Sequence, residues 1–178
     1  STNGDYVIGT VTNGLYTISE DGRMSTNYNF ERGLLNNTIL SIFQDRGNNL
    51  WLGLDSGINC ILIDSPFQFY NDSKGKLGTV YASKRVQTSL YLATNRGLFY
   101  RPINKPTATF ESIKGLSGQN WNLEVINDVL FVGHDLGTFM LKGNTAIRIG
   151  SYIGAWTHKS IDRNTIFVGS YDGIHVLK

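Results

Sequence analysis

Tyr81, Trp121 and Trp156 are the side chains of this sequence best suited to meeting a ligand. Each carries a flat apolar ring with a polar handle, a combination that stacks on a sugar ring and still orients it. Their spacing makes them a set. Tyr81 and Trp121 are 40 residues apart, the same step back from Tyr81 reaches Ser41, and a final step of 36 puts Trp156 beside the row. Packing between neighbouring sheets is the plainer use for such a row, and ligand contact is the sharper one. Trp51 sits in the middle of an apolar run and reads as packing alone.

Other chemistry is thinly represented. His134, His158 and His175 show no zinc-helix or knuckle spacing, so the sequence implies no metal set, and it implies no cofactor. His134-Asp135 reads as a solvated turn pair. Cys60 is a lone cysteine, which rules out an intramolecular disulfide and fits a small buried hydrophobe. Ser73-Lys74-Gly75-Lys76 lacks the earlier glycine of a phosphate loop, and Gly115-Leu116-Ser117-Gly118 has the wrong spacing for a nucleophile elbow. Carboxylates for glycoside cleavage would have to converge from separate parts of the chain. The preferred reading is that this segment is not an enzyme. A net charge of +2 over 178 residues, with the cations scattered, argues against nucleic acid or an anionic membrane as partner.

The elements that would position these residues come from a repeat. Leu50-Trp51-Leu52-Gly53 followed by Ser56-Gly57-Ile58 is a short strand, a glycine, a turn and a second strand. Copies occur at Tyr6-Val7-Ile8-Gly9, Leu90-Tyr91-Leu92-Ala93, Leu130-Phe131-Val132-Gly133 and Ile166-Phe167-Val168-Gly169. Their turn glycines Gly14, Gly57, Gly97, Gly137 and Gly173 recur at roughly 40 residues, the period of propeller blades. Helical spacing is nowhere sustained. The expected fold is therefore all-β, a β-propeller segment of four to five four-stranded antiparallel blades. The blades are expected at 1–33 (incomplete), 34–73, 74–114, 115–150 and 151–178 (incomplete), as part of a larger propeller. Phe67-Gln68-Phe69-Tyr70 is expected to close the second blade, and Asn127-Asp128 to make a two-residue hairpin. Open edges at the end blades would invite a homodimer. No run approaches the length of a membrane span and no signal core is visible, which implies a chain either cytosolic or already trimmed.

One unit carries more. Gly33-Leu34-Leu35-Asn36-Asn37-Thr38, Ser41-Ile42-Phe43-Gln44-Asp45, Gly47-Asn48-Asn49-Leu50-Trp51-Leu52-Gly53 and Ser56-Gly57-Ile58-Asn59 together resemble the two-component regulator propeller repeat. The resemblance implies an extracytoplasmic, periplasmic sensor region of a bacterial hybrid or one-component-like sensor. Such a region would answer to a glycan-derived oligosaccharide and pack against the remaining blades of its parent. Kinase and DNA-binding output would lie elsewhere in that parent. A propeller-fold polysaccharide lyase or hydrolase is the alternative, and a protein-interaction scaffold ranks last because the Trp-Asp dipeptide of WD repeats is missing.

Overall fold

The computed structural model describes residues 4–67, 69–72, 74–105 and 108–178 of the chain. Two compact units divide it, 1–74 and 75–178. Among the described residues strands dominate both, with one short 3-10 turn at Phe30–Arg32. Every sheet is an antiparallel meander, in which each strand pairs with its neighbour in sequence.

The first unit holds two three-stranded sheets. β1 (Tyr6–Gly9), β2 (Leu15–Ile18) and β3 (Met24–Tyr28) form one; β4 (Ile39–Gln44), β5 (Leu50–Leu54) and β6 (Ile58–Ile61) form the other. Leu15, Leu34, Ile39, Leu50, Leu52 and Leu54 make its core. The expected fourth strand at Phe67–Tyr70 is not formed by Phe67, Phe69 or Tyr70, while Gln68 lies outside the described residues. A turn bonded from the Ser65 N–H to the Leu62 carbonyl diverts the chain, and Pro66 brings no N–H to a ladder. Cys60 is exposed, contrary to the expectation of burial, because β6 alternates and Cys60 shares the face of Ile58. Trp51 faces solvent more than a packing residue should, with its indole N–H donating to the Asp45 carboxylate at 2.9 Å. That bond, the largest of several, holds the Asp45 carboxyl below its ordinary value, while the Asn49 N–H, donating to Asp45 Oδ1 at 2.9 Å, closes the Asp45–Asn49 turn.

The second unit holds three sheets. β7 (Val80–Val86), β8 (Ser89–Thr94), β9 (Gly97–Pro102) and β10 (Glu111–Ser117) form the first of these. β11 (Asn120–Ile126), β12 (Val129–His134), β13 (Gly137–Lys142) and β14 (Thr145–Ile149) form the second, and β15 (Thr157–Ser160), β16 (Ile166–Ser170) and β17 (Gly173–Leu177) the third. β11 lies beside both β7 and β15, so the first strands of the three sheets are neighbours. Ala93, Leu98, Ile113, Leu116, Leu123, Leu130, Val132 and Phe139 fill the core between the first two sheets. Asn127 and Asp128 both adopt positive φ, 49° and 62°, as the expected tight hairpin requires.

The glycine that ends the second strand of a repeat has a specific task. At Gly133 a Cβ would overlap the carbonyl oxygen of Ala155, backbone of the following sheet. Residues 154 and 155 reach that place by bonding back to β12: the Gly154 N–H donates to Asp135 O at 2.8 Å and the Ala155 N–H to His134 O at 3.0 Å. At Gly53 the overlapping atom is instead the hydroxyl of Ser41, a side chain that can rotate.

Candidate functional site

Register assigns the row of candidate residues more accurately than counting does. In β4, β7 and β11 the pairing slips by one residue, between Ile39 and Ser41, Val80 and Ala82, and Asn120 and Asn122. The extra residues are Leu40, Tyr81 and Trp121. The last sheet does the same at its foot: the Trp156 N–H donates to Gly169 O at 2.8 Å while Gly169 also stands opposite Thr157. The equivalent residues are therefore Leu40, Tyr81, Trp121 and Trp156, and Ser41 is displaced from the row by one position. A β-bulge leaves its extra residue out of the ladder and re-aims the side chain, a common device at sheet rims next to binding sites.

Two of the three expected site residues come together. The Trp121 and Trp156 rings are stacked with centroids 4.1 Å apart and planes 9° from parallel. Tyr171 stands edge-on to both, 5.6 Å from Trp121 and 5.5 Å from Trp156. Trp156 keeps 47% of its surface exposed, so the cluster packs two sheets and still shows a ring to solvent. Tyr81, 46% exposed, projects from the neighbouring β7 and has no ring in contact with it among the described residues. Counting missed Tyr171, yet a signal was present. Two residues before each turn glycine stand Thr12, Asp55, Asn95, Asp135 and Tyr171, and only the last is aromatic.

The histidines are structural in three different ways. His134 is 1% exposed, which corrects the solvated pair expected of His134-Asp135. Its Nε2 meets Ser117 O at 3.0 Å and its Nδ1 accepts the Leu136 N–H at 3.0 Å. His158 is 4% exposed and links two sheets of the unit. Its Nδ1–H donates to Asn122 Oδ1 at 2.9 Å; the Thr138 hydroxyl donates to its Nε2 at 2.9 Å and accepts from the Tyr152 hydroxyl at 2.7 Å. These partners fix a neutral ring protonated on Nδ1. Burial lowers the His158 pKa to about 4, against a weaker opposing pull from the Glu124 carboxylate. Burial likewise raises the Tyr152 hydroxyl.

Ser170, Asp172 and His175 gather in the last sheet, but in the wrong order for nucleophilic catalysis. The Ser170 hydroxyl and His175 Nε2 both meet Asp172 Oδ1, at 2.5 and 2.9 Å, so the carboxylate separates the hydroxyl from the base. The Ser170 and His175 hydrogen bonds, in that order, lower the Asp172 pKa to about 2. His175 also stacks on Tyr152, with ring centroids 4.3 Å apart. Among the described residues no trio of His, Cys, Asp or Glu gathers as a metal set. No helix among them is long and apolar enough to cross a membrane.

Residues 33–56 match the family model described as two component regulator propeller, which bears out the resemblance read from that stretch. No curated protein matches the chain. Among solved structures, the extracellular domain assigned to a hybrid two component system of B. thetaiotaomicron is 17% identical, with a TM-score of 0.52 over 98% of this chain and 25% of that one. A second extracellular domain from B. thetaiotaomicron, assigned to a one component system, is 16% identical with a TM-score of 0.44 over 99% of this chain and 26% of the other. The WD40 β-propeller domain of Doa1 is 15% identical with a TM-score of 0.46, covering 99% and 61%. The first of these carries the fold likeness: the chain is all-β with propeller-type sheets, and it spans about a quarter of the length of the B. thetaiotaomicron structures.

Proposed function

We propose, from a chain whose residues 33–56 match the two component regulator propeller, that this segment is a non-catalytic, ligand-sensing part of an extracytoplasmic sensor. The ligand is a glycan-derived oligosaccharide, and the compartment is the periplasm. The observation that carries this reading is the aromatic cluster of Trp121, Trp156 and Tyr171, raised out of the ladder by bulges and partly open to solvent. Its free indole face suits the C–H face of a sugar ring, and the Tyr171 hydroxyl suits its rim. Tyr81, one strand over, would receive a further unit of an oligosaccharide.

The separated Ser170 and His175 give no support to a hydrolase, and the segment acts by binding. Tryptophan fluorescence and thermal shift against a panel of neutral oligosaccharides test this. The expected result is a saturable change for at least one sugar, lost in Trp156→Leu, with no product released. Release of shortened sugars would replace the reading with the lyase or hydrolase alternative. A flat response to every sugar would remove it.

A further inference from the structure

Tyr171 is 56% exposed and sits on a turn, where a free aromatic side chain hops between rotamers, yet its ring stands edge-on to two indoles at once. Its neighbours hold it there. The surface beneath the ring is the buried main chain of Gly154, two residues ahead of Trp156. A Cβ built on Gly154 would fall inside the Tyr171 ring, against Cγ, Cδ2 and Cε2. Gly154 also has φ 73°, in the left-handed region that favours glycine, so two separate requirements meet at one residue.

The seat itself is fixed. Backbone bonds from the Gly154 N–H to Asp135 O and from the Ala155 N–H to His134 O, at 2.8 and 3.0 Å, tie it to the end of β12. The two preceding sheets follow the same plan with smaller groups: Asn95 Oδ1 occupies the place a Gly78 Cβ would take, and Asp135 Oδ1 stands 3.9 Å from that of Gly118. Only Gly154 receives a ring.

A second tie holds the turn that bears Tyr171. The next residue, Asp172, accepts the Ser170 hydroxyl and meets His175 Nε2 at 2.9 Å, and the His175 ring lies on Tyr152 with centroids 4.3 Å apart and planes 12° from parallel. The Tyr152 hydroxyl in turn donates to Thr138 at 2.7 Å. Tyr152 and Gly154 are two residues apart in the connection between β14 and β15, so one segment holds both the turn and the seat.

We infer that Gly154 and Tyr152 are positioning residues for the aromatic cluster: the connection between β14 and β15 presets Tyr171, and through it the Trp121–Trp156 stack, before any ligand arrives. The consequence for binding rests on the oligosaccharide reading above. A platform already ordered escapes the cost of immobilising a side chain on association, worth about fivefold in affinity for one residue.

The full chain tests this through the exciton couplet that closely stacked indoles give in far-UV circular dichroism, recorded without sugar and beside Tm. Gly154→Ala and Tyr171→Ala should each remove at least half of the couplet. The double variant should lose no more than either, because an alanine at 154 then has no ring to displace. Backbone strain alone would lower Tm in both backgrounds and spare the couplet; a full couplet in folded Gly154→Ala therefore overturns the inference, and so do additive losses in the double variant. His175→Ala cuts the turn from Tyr152 with Gly154 untouched and should weaken the couplet to a lesser degree. It and Tyr171→Ala carry the test if Gly154→Ala does not fold, and a couplet unchanged in both is then the overturning result. Affinity for a sugar bound by the parent chain should fall about fivefold in Gly154→Ala. Because the couplet needs no ligand, silence from every sugar removes the ligand reading alone.

Discussion

The bulge on β4 and the bulges at β11 and β15 are the same backbone device with different side chains. In the segment that matches the family model the extra residue is Leu40, exposed and aliphatic; in the second unit it is Trp121 and Trp156, stacked on each other. The scaffold therefore fixes where a side chain leaves the ladder and leaves its chemistry open. The glycines opposite the bulges differ in a parallel way. Gly53 faces a movable hydroxyl, and Gly133 faces the backbone of the next sheet.

The largest test sets those two glycines against each other. Gly133→Ala should cost about 4 kcal/mol, because a carbonyl oxygen fixed in the backbone must move. Gly53→Ala should cost about 1 kcal/mol, because Ser41 can rotate away. Urea midpoints with unchanged slope would check both, and equal costs would break the contrast.

Next comes the buried histidine that joins the sheets holding Trp121 and Trp156. His158 titrates at about 4 in the folded chain and near 6.5 unfolded, so between those values the unfolded chain binds the extra proton. Its stabilising contribution is complete above about pH 6.5 and is lost as pH falls towards 4, in total about 3 kcal/mol. Unfolding free energies across this window should slope upward with pH, and His158→Gln should remove most of that slope.

Exchanging the bulge residues gives smaller effects. Trp156→Leu should cost about 1 kcal/mol beyond its lost area, the worth of an aromatic stack. The reciprocal Leu40→Trp, at an exposed position, should change stability by less than about 0.5 kcal/mol. Thermal melts of the pair check both, and a large cost for Leu40→Trp would show that the two bulges are not equivalent.

Much of the fold was legible from the repeat, because alternating apolar runs and turn glycines report strands directly. The bulge was not, since an inserted residue shifts the row by one without altering composition; hence Ser41 stood where Leu40 belongs. Burial at His134 was hidden for a different reason. β12 is covered on both faces, so Leu130 to His134 are all buried and the expected alternation disappears. Cys60 failed in the opposite sense, on a strand that does alternate. Tyr171 was readable only by comparing turns, where one aromatic replaces small polar side chains.

The amides of Gly154 and Ala155 belong by sequence to the last sheet but are bonded to the end of β12. Their protons are thus guarded by a sheet they do not enter. In hydrogen exchange they should open with His134 and Asp135 rather than with Thr157 to Ser160, so fraying of the last sheet would stop at Trp156 and leave its anchor in place.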